Sequence, residues 1–341
     1  MAGLKKKALG AGKLPIKLLE RLLKRYARPG RGVIVGPGIG IDATVIDFKG
    51  GYLIAKTDPI TFVADDIGLY AIHINANDIA VMGGTPGWFL ATVLLPEDTS
   101  GFRAVEKVFS EMHKACSSIG VSLCGGHTEI TRAVRKTVVV GQMLGTVSKE
   151  RLVTAKGARA GDDLILTKGI AIEATSIMAR EKGKELLRKG LSPGFIRRCR
   201  DFIRRPGISV LKDSSAALFS GRVHAMHDPT EGGLSTGLHE LAIASGKGVV
   251  VEKELIPVYP ETGRLCALFR IDPMGAIASG SLLAAVDPRD TGKVIKGLKE
   301  AGVPACRIGR VTAKEGGVRI SERGKTRPLK MPERDELARI F

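Results

Sequence analysis

The pattern of apolar and polar positions predicts an opening helix and then two units that mix strands with helices. Between residues 13 and 27, leucines recur at helical spacing and lysines and arginines lie on the opposite face, which is typical of an amphipathic helix. Proline and glycine at residues 29–32 break this pattern. We therefore interpret residues 1–30 as a helix and its linker.

The first unit covers residues 31–150. Its short apolar runs, separated by glycine pairs, are typical of strands, and its longer periodic stretches are typical of helices. The predicted elements are strands at 33–35, 43–48 and 52–57, a helix at 65–82, an apolar run at 88–95, a helix at about 100–119, a short strand into 125–126 and a strand at 137–147. Strands interleaved with helices predict a mixed α/β domain.

The second unit covers residues 155–312 and again alternates the two patterns. The predicted elements are a turn and strand at 158–167, helices at 171–181, 193–204, 209–220 and 228–244, strands at 248–251, 281–286 and 307–311, and a helix at 291–301. Residues 313–341 are basic, polar and weakly patterned, so we expect a tail there.

The composition is that of a globular protein with room for two domains, because the 341 residues are 44% hydrophobic and 26% charged. The five cysteines form no C-x-x-C pair, which argues against a zinc ribbon or a redox dithiol. Free thiols and the lack of a signal peptide predict a cytoplasmic location. No apolar run approaches the roughly 20 residues that span a bilayer, so we expect no membrane contact.

The net charge of +18, from 53 Lys and Arg against 35 Asp and Glu, raises the question of a polyanionic partner. Basic clusters such as Lys5-Lys6-Lys7 and Arg197-Arg198 accompany no nucleic-acid recognition motif. Aromatic residues make up only 4% of the chain, which leaves little for base stacking. Nucleic acid is therefore an unlikely partner. We interpret the charge mainly as a solvated surface that favours polyanionic substrates or nucleotides.

An aspartate interrupts the apolar stripe of the predicted helix at 65–82. Asp78 falls at helical spacing from Ile74 and Met82, where an apolar residue is expected. A charge on a core-facing stripe is costly unless a cation or a donor meets it. Asp58 ends the preceding strand, where ligands often bind in α/β folds. The two carboxylates indicate either a hard cation site or buried acids satisfied by backbone N–H groups.

Five segments combine glycine, carboxylates and hydroxyls beside apolar strands. They are Gly36-Pro-Gly-Ile-Gly-Ile-Asp42, Lys56-Thr57-Asp58, Asn77-Asp78, Gly125-Gly-His-Thr-Glu129 and His227-Asp228-Pro-Thr-Glu-Gly-Gly233. Glycine loops let backbone N–H groups approach phosphate oxygens, and Mg²⁺ bridges such oxygens to carboxylates. Each segment alone is a weak signal, whereas their joint presence in this order is much more specific.

These segments resemble those of the aminoimidazole ribonucleotide (AIR) synthetase-related superfamily, over roughly residues 30–312. The resemblance implies a PurM-like architecture of two domains, the first mixed α/β and the second α+β. The first domain would dimerise through its sheet, and ATP would bind in a cleft near that interface under the second domain. Asp228-Pro-Thr-Glu-Gly-Gly-Leu is most similar to the branch of the hydrogenase maturation factor HypE.

The resemblance also implies roles for single residues, with ATP and Mg²⁺ as cofactors. The metal ligands would be Asp42, Asp58, Asp78 and Asp228. The nucleotide would meet Gly38, Gly40, Lys56, Thr57 and Asn77, together with a loop containing Gly125, Gly126, Thr128 and Glu129. Asp228 and His127 would be catalytic, although a structural role for His127 is equally open.

Departures from the family pattern argue against two of the reactions known in the family. The loop at residues 36–40 has no cysteine for selenium delivery, and the printed chain ends Ala338-Arg339-Ile340-Phe341, without the terminal cysteine of HypE. We expect an enzyme that uses ATP to phosphorylate a small-molecule or protein-borne acceptor. The alternatives are a HypE-like factor in hydrogenase maturation that works without its own terminal cysteine, for which a partner maturation protein is a candidate, and a non-catalytic protein that binds nucleotides or nucleic acid.

Overall fold

Two mixed β-sheets organise this protein, and helices pack against each of them. The structure, a computed structural model, describes residues 13–27, 29–61, 63, 65–97 and 101–341. The cluster Lys5-Lys6-Lys7 lies outside the described residues. No helix in the described part of the chain combines the length and apolar character that a membrane crossing requires.

The first sheet has six strands in the order β1-β2-β3-β6-β4-β5. The strands are β1 (Val33–Val35), β2 (Thr44–Phe48), β3 (Gly51–Ile60), β4 (Thr85–Pro96), β5 (Ser122–Thr131) and β6 (Val138–Val147). Only β4 and β5 are parallel; the other neighbours are antiparallel. The predicted hairpin at Gly50-Gly51 is confirmed as the link between β2 and β3.

Three helices belong to the N-terminal half: α1 (Ile16–Tyr26), α2 (Ile67–Val81) and α3 (Phe102–Ser118). The amphipathic opening helix is confirmed as α1, which buries none of its residues. The sequence predicted burial along one apolar stripe of the second helix, whereas α2 is buried on nearly all sides. It contacts strands β3 and β6, helix α3, and helix α7 (Leu211–Ser220) of the second domain.

Glycines let α2 lie directly on the sheet. A Cβ at Gly141 of β6 would clash with the amide of Asn75, and one at Gly145 would clash with Ile79. Because glycine has no Cβ, the helix axis approaches β6 closely and its buried polar residues reach the strand backbones. This close approach positions Asn75 and Asp78 against β3.

The second sheet has seven strands in the order β13-β12-β9-β11-β7-β10-β8. They are β7 (Asp163–Thr167), β8 (Val223–His227), β9 (Gly248–Glu252), β10 (Leu283–Val286), β11 (Ala305–Thr312), β12 (Val318–Glu322) and β13 (Lys325–Pro328). The helices are α4 (Ile172–Glu181), α5 (Gly183–Arg188), α6 (Pro193–Arg200), α7 (Leu211–Ser220), α8 (Gly233–Ser245), α9 (Pro260–Phe269) and α10 (Thr291–Glu300).

Residues 313–341, expected to form a weakly patterned tail, instead contribute strands β12 and β13 to the second sheet. The last residues return to the body of the domain, where the Asp335 carboxylate accepts a hydrogen bond from the Gly232 N–H at 2.7 Å. Strand β8 and helices α5 and α9 were also missed, because each is short and lacks a clear period. The exact domain boundaries stay a prediction.

One hydrophobic core runs across the junction of the domains. It joins Ile67, Ile72 and Ile79 of α2 to residues of the second domain such as Ile172 and Ile208, all less than 2% exposed. A continuous apolar junction fixes the two sheets relative to each other more firmly than a polar contact between separate domains would.

Candidate functional site

Three charged side chains of the first domain meet between β3 and α2. Lys56 and Asp58 are two residues apart on β3 and so share a face of the sheet. The Lys56 ammonium lies 3.3 Å from the Asp58 carboxylate and 3.1 Å from the carboxylate of Asp78 on α2. The stripe position of Asp78 therefore carries a charge that faces a cation and another acid.

Asn75 holds the strand backbone beside Asp78. Its side-chain oxygen accepts a hydrogen bond from the Asp58 N–H at 2.9 Å, and its NH₂ donates to the Ala71 carbonyl at 2.9 Å. Asn75 lies three residues before Asp78, on the same side of the helix. The sequence analysis missed this residue, although that spacing was a usable signal.

A second group of side chains reaches the same region from the other domain. His227 ends β8, and Asp228 follows it; both are buried, and so is Asp42. One ligand atom from each of these three residues lies within 4.8 Å of the others. Carboxylates of the two domains therefore share one site.

The glycine loop before Asp42 packs directly on the second domain. Gly40 has φ +68°, and a Cβ there would clash with the backbone carbonyl of Glu240 on α8. Glycine adopts this left-handed backbone at little cost and leaves room for the helix. Gly40 thus seats the loop against α8 and brings Asp42 next to His227.

His227 links the acids on its two sides. Its Nδ1 lies 2.7 Å from Asp42 Oδ1, and its Nε2 lies 3.0 Å from Glu240 Oε2. Burial lowers the pKa of His227, but the charges and hydrogen bonds of Asp42 and Glu240 outweigh it and raise that pKa well above the ordinary value. With both ring nitrogens occupied, His227 orients Asp42 and offers no free atom to a ligand.

Several carboxylate oxygens at this site have no partner. Both oxygens of Asp228 and one oxygen of Asp42 are buried without a hydrogen bond among the described residues. Burial raises the pKa of Asp228 to about 7, and the Asp42 charge adds to the effect. Burial also raises the pKa of Asp78 well above its ordinary value, against the opposing effect of Lys56.

The unpartnered oxygens fit a hard divalent cation. Mg²⁺ prefers carboxylate oxygens, and buried acids this close together are unfavourable until a cation compensates them. Burial lowers the pKa of Lys56, but the charges of Asp78, Asp58 and Asp42 outweigh burial and raise this pKa above its ordinary value. The ammonium therefore stays charged. The candidate ligands are Asp42, Asp58, Asp78 and Asp228, and the Lys56 ammonium adds a positive charge beside them.

Two predicted nucleotide contacts are engaged elsewhere. Thr57 lies on the other face of β3, where its hydroxyl donates to the Gly141 carbonyl at 2.8 Å. The Asn77 side chain bonds to the backbone of residues 208 and 210 in the second domain. Gly38 lies in the loop before Asp42, and a Cβ there would press on Ile41 at 3.1 Å.

The predicted loop at Gly125–Glu129 is wrong as an element, because these residues lie inside β5. β5 is the edge strand of the first sheet and is three strands away from β3. At about 4.8 Å between neighbouring strands, that is about 14 Å. His127, with 70% of its side chain exposed, lies on this edge and faces Glu129 at 3.8 Å. Within one chain, these residues do not join the carboxylates.

Two further residues lie beside these acids, and no local pattern in the sequence indicated them. Glu240 of α8 holds His227, and the Lys13 ammonium lies 3.4 Å from Glu240. The Lys13 N–H also donates to Glu231 at 3.1 Å. Burial alone raises the pKa of Glu240, but His227 and Lys13 lower it to about 2. The base of α1 is thus tied to the acids of the second domain.

Family comparisons agree with this two-domain architecture. The model of the AIR synthase related protein N-terminal domain matches residues 40–147, and that of the corresponding C-terminal domain matches residues 159–321. Together these ranges cover most of the chain and coincide with the two sheets. The protein belongs to the AIR synthase-related family.

Curated relatives within this family concern hydrogenase assembly. A Methanocaldococcus jannaschii protein named for hydrogenase expression and formation is 26% identical over 341 residues, covering 95% of this chain and 96% of its own. Carbamoyl dehydratase HypE of Escherichia coli K12 is 27% identical over 288 residues, covering 83% of this chain and 81% of its own.

Solved structures show the same fold. HypE from its complex with HypF superposes with a TM-score of 0.75 at 20% identity, covering 92% of this chain and 99% of that one. HypE in complex with ATP gives a TM-score of 0.71 at 24% identity, covering 97% and 98%. The prediction of an AIR synthetase-like, PurM-like fold close to HypE is confirmed.

Proposed function

We propose that this protein is an ATP- and Mg²⁺-dependent enzyme that activates an acceptor by phosphorylating it. One observation carries the proposal: acids from both domains converge around Lys56, and the buried oxygens of Asp228 have no hydrogen-bond partner among the described residues. Phosphoryl transfer needs charge neutralisation and positioning more than covalent chemistry, and this arrangement offers both.

The residues divide the work by their charge. Asp42, Asp58, Asp78 and Asp228 would hold Mg²⁺, which neutralises and orients phosphate oxygens when it is bound. The surrounding acids keep Lys56 charged. When a metal ion binds these acids, the Lys56 ammonium would pair with the triphosphate instead. His227 keeps Asp42 in place through its bond to Glu240.

The relatives support a nucleotide and suggest a pathway. HypE has been crystallised with ATP and, separately, in a complex with HypF. A second candidate function follows: a HypE-like step in hydrogenase maturation, in which a partner maturation protein presents the acceptor. The names of the relatives favour it, whereas the identity of the acceptor and a cytoplasmic location stay predictions.

We also propose a homodimer formed through the first sheet. β5 is an exposed edge strand, and its outer N–H and C=O groups invite a further strand. Ile130 on this strand is 55% exposed, which is an apolar surface that a second copy would cover. Such pairing would also bring His127 and Gly125–Glu129 into an interface, where a role at the nucleotide becomes possible.

Calorimetric titration with the ATP analogue AMP-PNP, with Mg²⁺ and with EDTA, tests the site. We expect Mg²⁺ to tighten binding in the wild type and Asp78→Ala to abolish that tightening. Asp47→Ala is the matched control, because Asp47 lies at an exposed position of β2. Absence of binding to the wild type, or equal binding by Asp78→Ala, contradicts the proposal.

A further inference from the structure

Residues 207–210, which we name the junction segment, lie between the two domains and are gripped from both. The segment precedes α7, and its Ile208 and Val210 are fully buried. Gly280 packs against it so closely that a Cβ there would lie 2.7 Å from the Gly207 carbonyl. The segment is therefore a fixed part of the domain junction.

The first domain grips the segment through one side chain of α2. The Asn77 NH₂ donates to the Ile208 carbonyl at 2.8 Å, and the Asn77 oxygen accepts from the Val210 N–H at 2.8 Å. Asn77 is completely buried. An amide that donates to one backbone group and accepts from another two residues further along fixes the position of the segment against α2.

The second domain grips the alternate carbonyls through Lys168. Its ammonium donates to the Ser209 carbonyl at 2.7 Å and lies 3.5 Å from the Gly207 carbonyl. Asp213, 3.1 Å away, supplies the counter-charge. Because the ammonium has three N–H donors, these partners occupy them all, and Lys168 is committed to the segment rather than to a phosphate.

The grip of Lys168 is itself built into the sheet. The Thr167 hydroxyl donates to Asp213 at 2.6 Å and accepts from the Leu282 N–H at 2.9 Å. Lys168 has φ +58°, a backbone conformation that a non-glycine residue holds only when its surroundings impose it. The local fold therefore maintains a strained residue where its side chain can reach the junction segment.

Both grips lead directly to the proposed metal ligands. Asn77 immediately precedes Asp78 on α2. Lys168 follows β7, which pairs with β10, and β10 pairs with β8, the strand that ends next to Asp228. The junction segment thus forms a hydrogen-bonded bridge between the element that carries Asp78 and the sheet that carries Asp228.

We propose that Asn77 and Lys168 are positioning residues, which set Asp78 and Asp228 at the separation that one Mg–nucleotide complex requires. This inference rests on the proposed function. It assigns Asn77 to the junction rather than to the nucleotide, and it gives the buried Lys168 a purpose outside the phosphate site. Misplacing a metal ligand through its support costs about 10- to 100-fold in metal affinity.

The test compares AMP-PNP affinity with Mg²⁺ and with EDTA in Asn77→Ala. We expect the Mg²⁺-dependent gain to fall on the order of 10-fold or more, and the affinity in EDTA to change less than about twofold, because the metal-free nucleotide does not need both acids in register. Lys168→Met, which keeps an unbranched side chain but removes the ammonium, should give the same split. A variant that only loosened the fold would weaken both affinities.

Asp66→Ala is the matched control at the other end of α2. Asp66 also bridges the domains, through ion pairs of 2.6 Å with Arg180 and with Arg204. Asp66 and Asp78 are twelve positions apart along the helix, which corresponds to about 18 Å at 1.5 Å per residue. We expect it to lower stability while the Mg²⁺-dependent gain stays within about twofold. An equal loss of that gain in Asp66→Ala overturns the positioning role.

Amide hydrogen exchange in the nucleotide-free protein separates the two proposals. If Asn77 holds the junction segment, Asn77→Ala speeds exchange of the Val210 N–H, which loses its acceptor, more than exchange of the β8 amides. Unchanged exchange at Val210 overturns the positioning role of Asn77, whatever the nucleotide affinity is. If exchange at Val210 is faster but the wild type binds no Mg–AMP-PNP, the proposed function is overturned, and so is the positioning of Asp78 and Asp228 for a nucleotide.

Discussion

The buried cluster of Lys168 and Asp213 and the buried cluster of Asp42 and Asp228 differ in how many of their polar atoms are hydrogen-bonded. In the cluster of Lys168 and Asp213, the ammonium and the carboxylate meet each other and their neighbours also bond to them. In the cluster of Asp42 and Asp228, three carboxylate oxygens have no partner among the described residues. Burial is the same in both, and hydrogen bonding is not.

The difference separates structural charges from charges that await a ligand. A fully bonded buried pair has already recovered what it lost by leaving water, and adding a cation there gains nothing. Unpartnered acids keep that penalty in the free protein and release it on binding. Burial alone does not mark a binding site, whereas unsatisfied buried acids from two domains do.

Matched substitutions of Asp213 and Asp228 should break this comparison if it is wrong. Asp213→Asn removes the counter-charge of Lys168, so we expect the free energy of unfolding to fall by about 3 kcal/mol. Asp228→Asn removes one of several crowded acids, so we expect stability to be equal or higher. Urea denaturation at pH 7.5 measures both changes.

The substitutions are isosteric, so packing serves as its own control. Equal losses of stability in both variants would show that Asp228 is as well bonded as Asp213, and the metal-site reading of its free oxygens would then fail. A gain in Asp228→Asn that disappears when Mg²⁺ and AMP-PNP are added to both proteins supports that reading most directly, because binding stabilises only the wild type.

Most of the elements could be predicted from the sequence because their apolar periods are strong. The hairpin of β2 and β3, the helix α2 and the helix α3 follow from local pattern alone. The strands β12 and β13 could not be found in this way, because polar residues fill their exposed positions. Only β12 pairs with β9, which is distant in sequence, and β13 is attached to the sheet through β12. Their apolar signal comes from few positions, such as Ile320.

The candidate site divides in the same manner. Asp58 and Asp78 could be related through strand and helix period, and the structure brings them together at Lys56. Asn77 lies on the same helix but a hundred degrees away from Asp78, so adjacency in sequence places it on another face. Glu240 reaches His227 only through tertiary folding, which no local pattern encodes.

Glu173 extends the comparison to a third buried acid. It lies in the first turn of α4 next to Ser279, is 4% exposed, and has one unpartnered oxygen. Burial raises its pKa to about 7. The folded state therefore favours the protonated acid, and its stabilisation is complete below the unfolded pKa of about 4.5 and is lost as the pH rises through 7.

We expect Glu173→Gln to match the wild type in stability at pH 4.5 and to exceed it at pH 8. Raising the pKa of Glu173 from about 4.5 to about 7 corresponds to a difference in unfolding free energy of at most about 3 kcal/mol. Thermal or urea unfolding across this pH range measures the difference, which cancels contributions shared with the neighbours Asp335 and Glu231. Glu181→Gln, at an exposed position of the same helix, is the control. A constant difference across the range contradicts the account.

The smallest effect is expected at His127, on the exposed edge strand. At protein concentrations where the chain is monomeric, His127→Ala should change the free energy of unfolding by less than about 0.5 kcal/mol, because the His127 side chain is 70% exposed and faces Glu129 at 3.8 Å. Affinity for Mg–AMP-PNP should then also be unchanged, since β5 is three strands away from β3. Sedimentation at rising concentration, with the same titration, decides whether a second copy alters this. A loss of affinity confined to the dimer would place His127 at a shared nucleotide site, whereas a loss in the monomer contradicts the separation of β5 from the carboxylates.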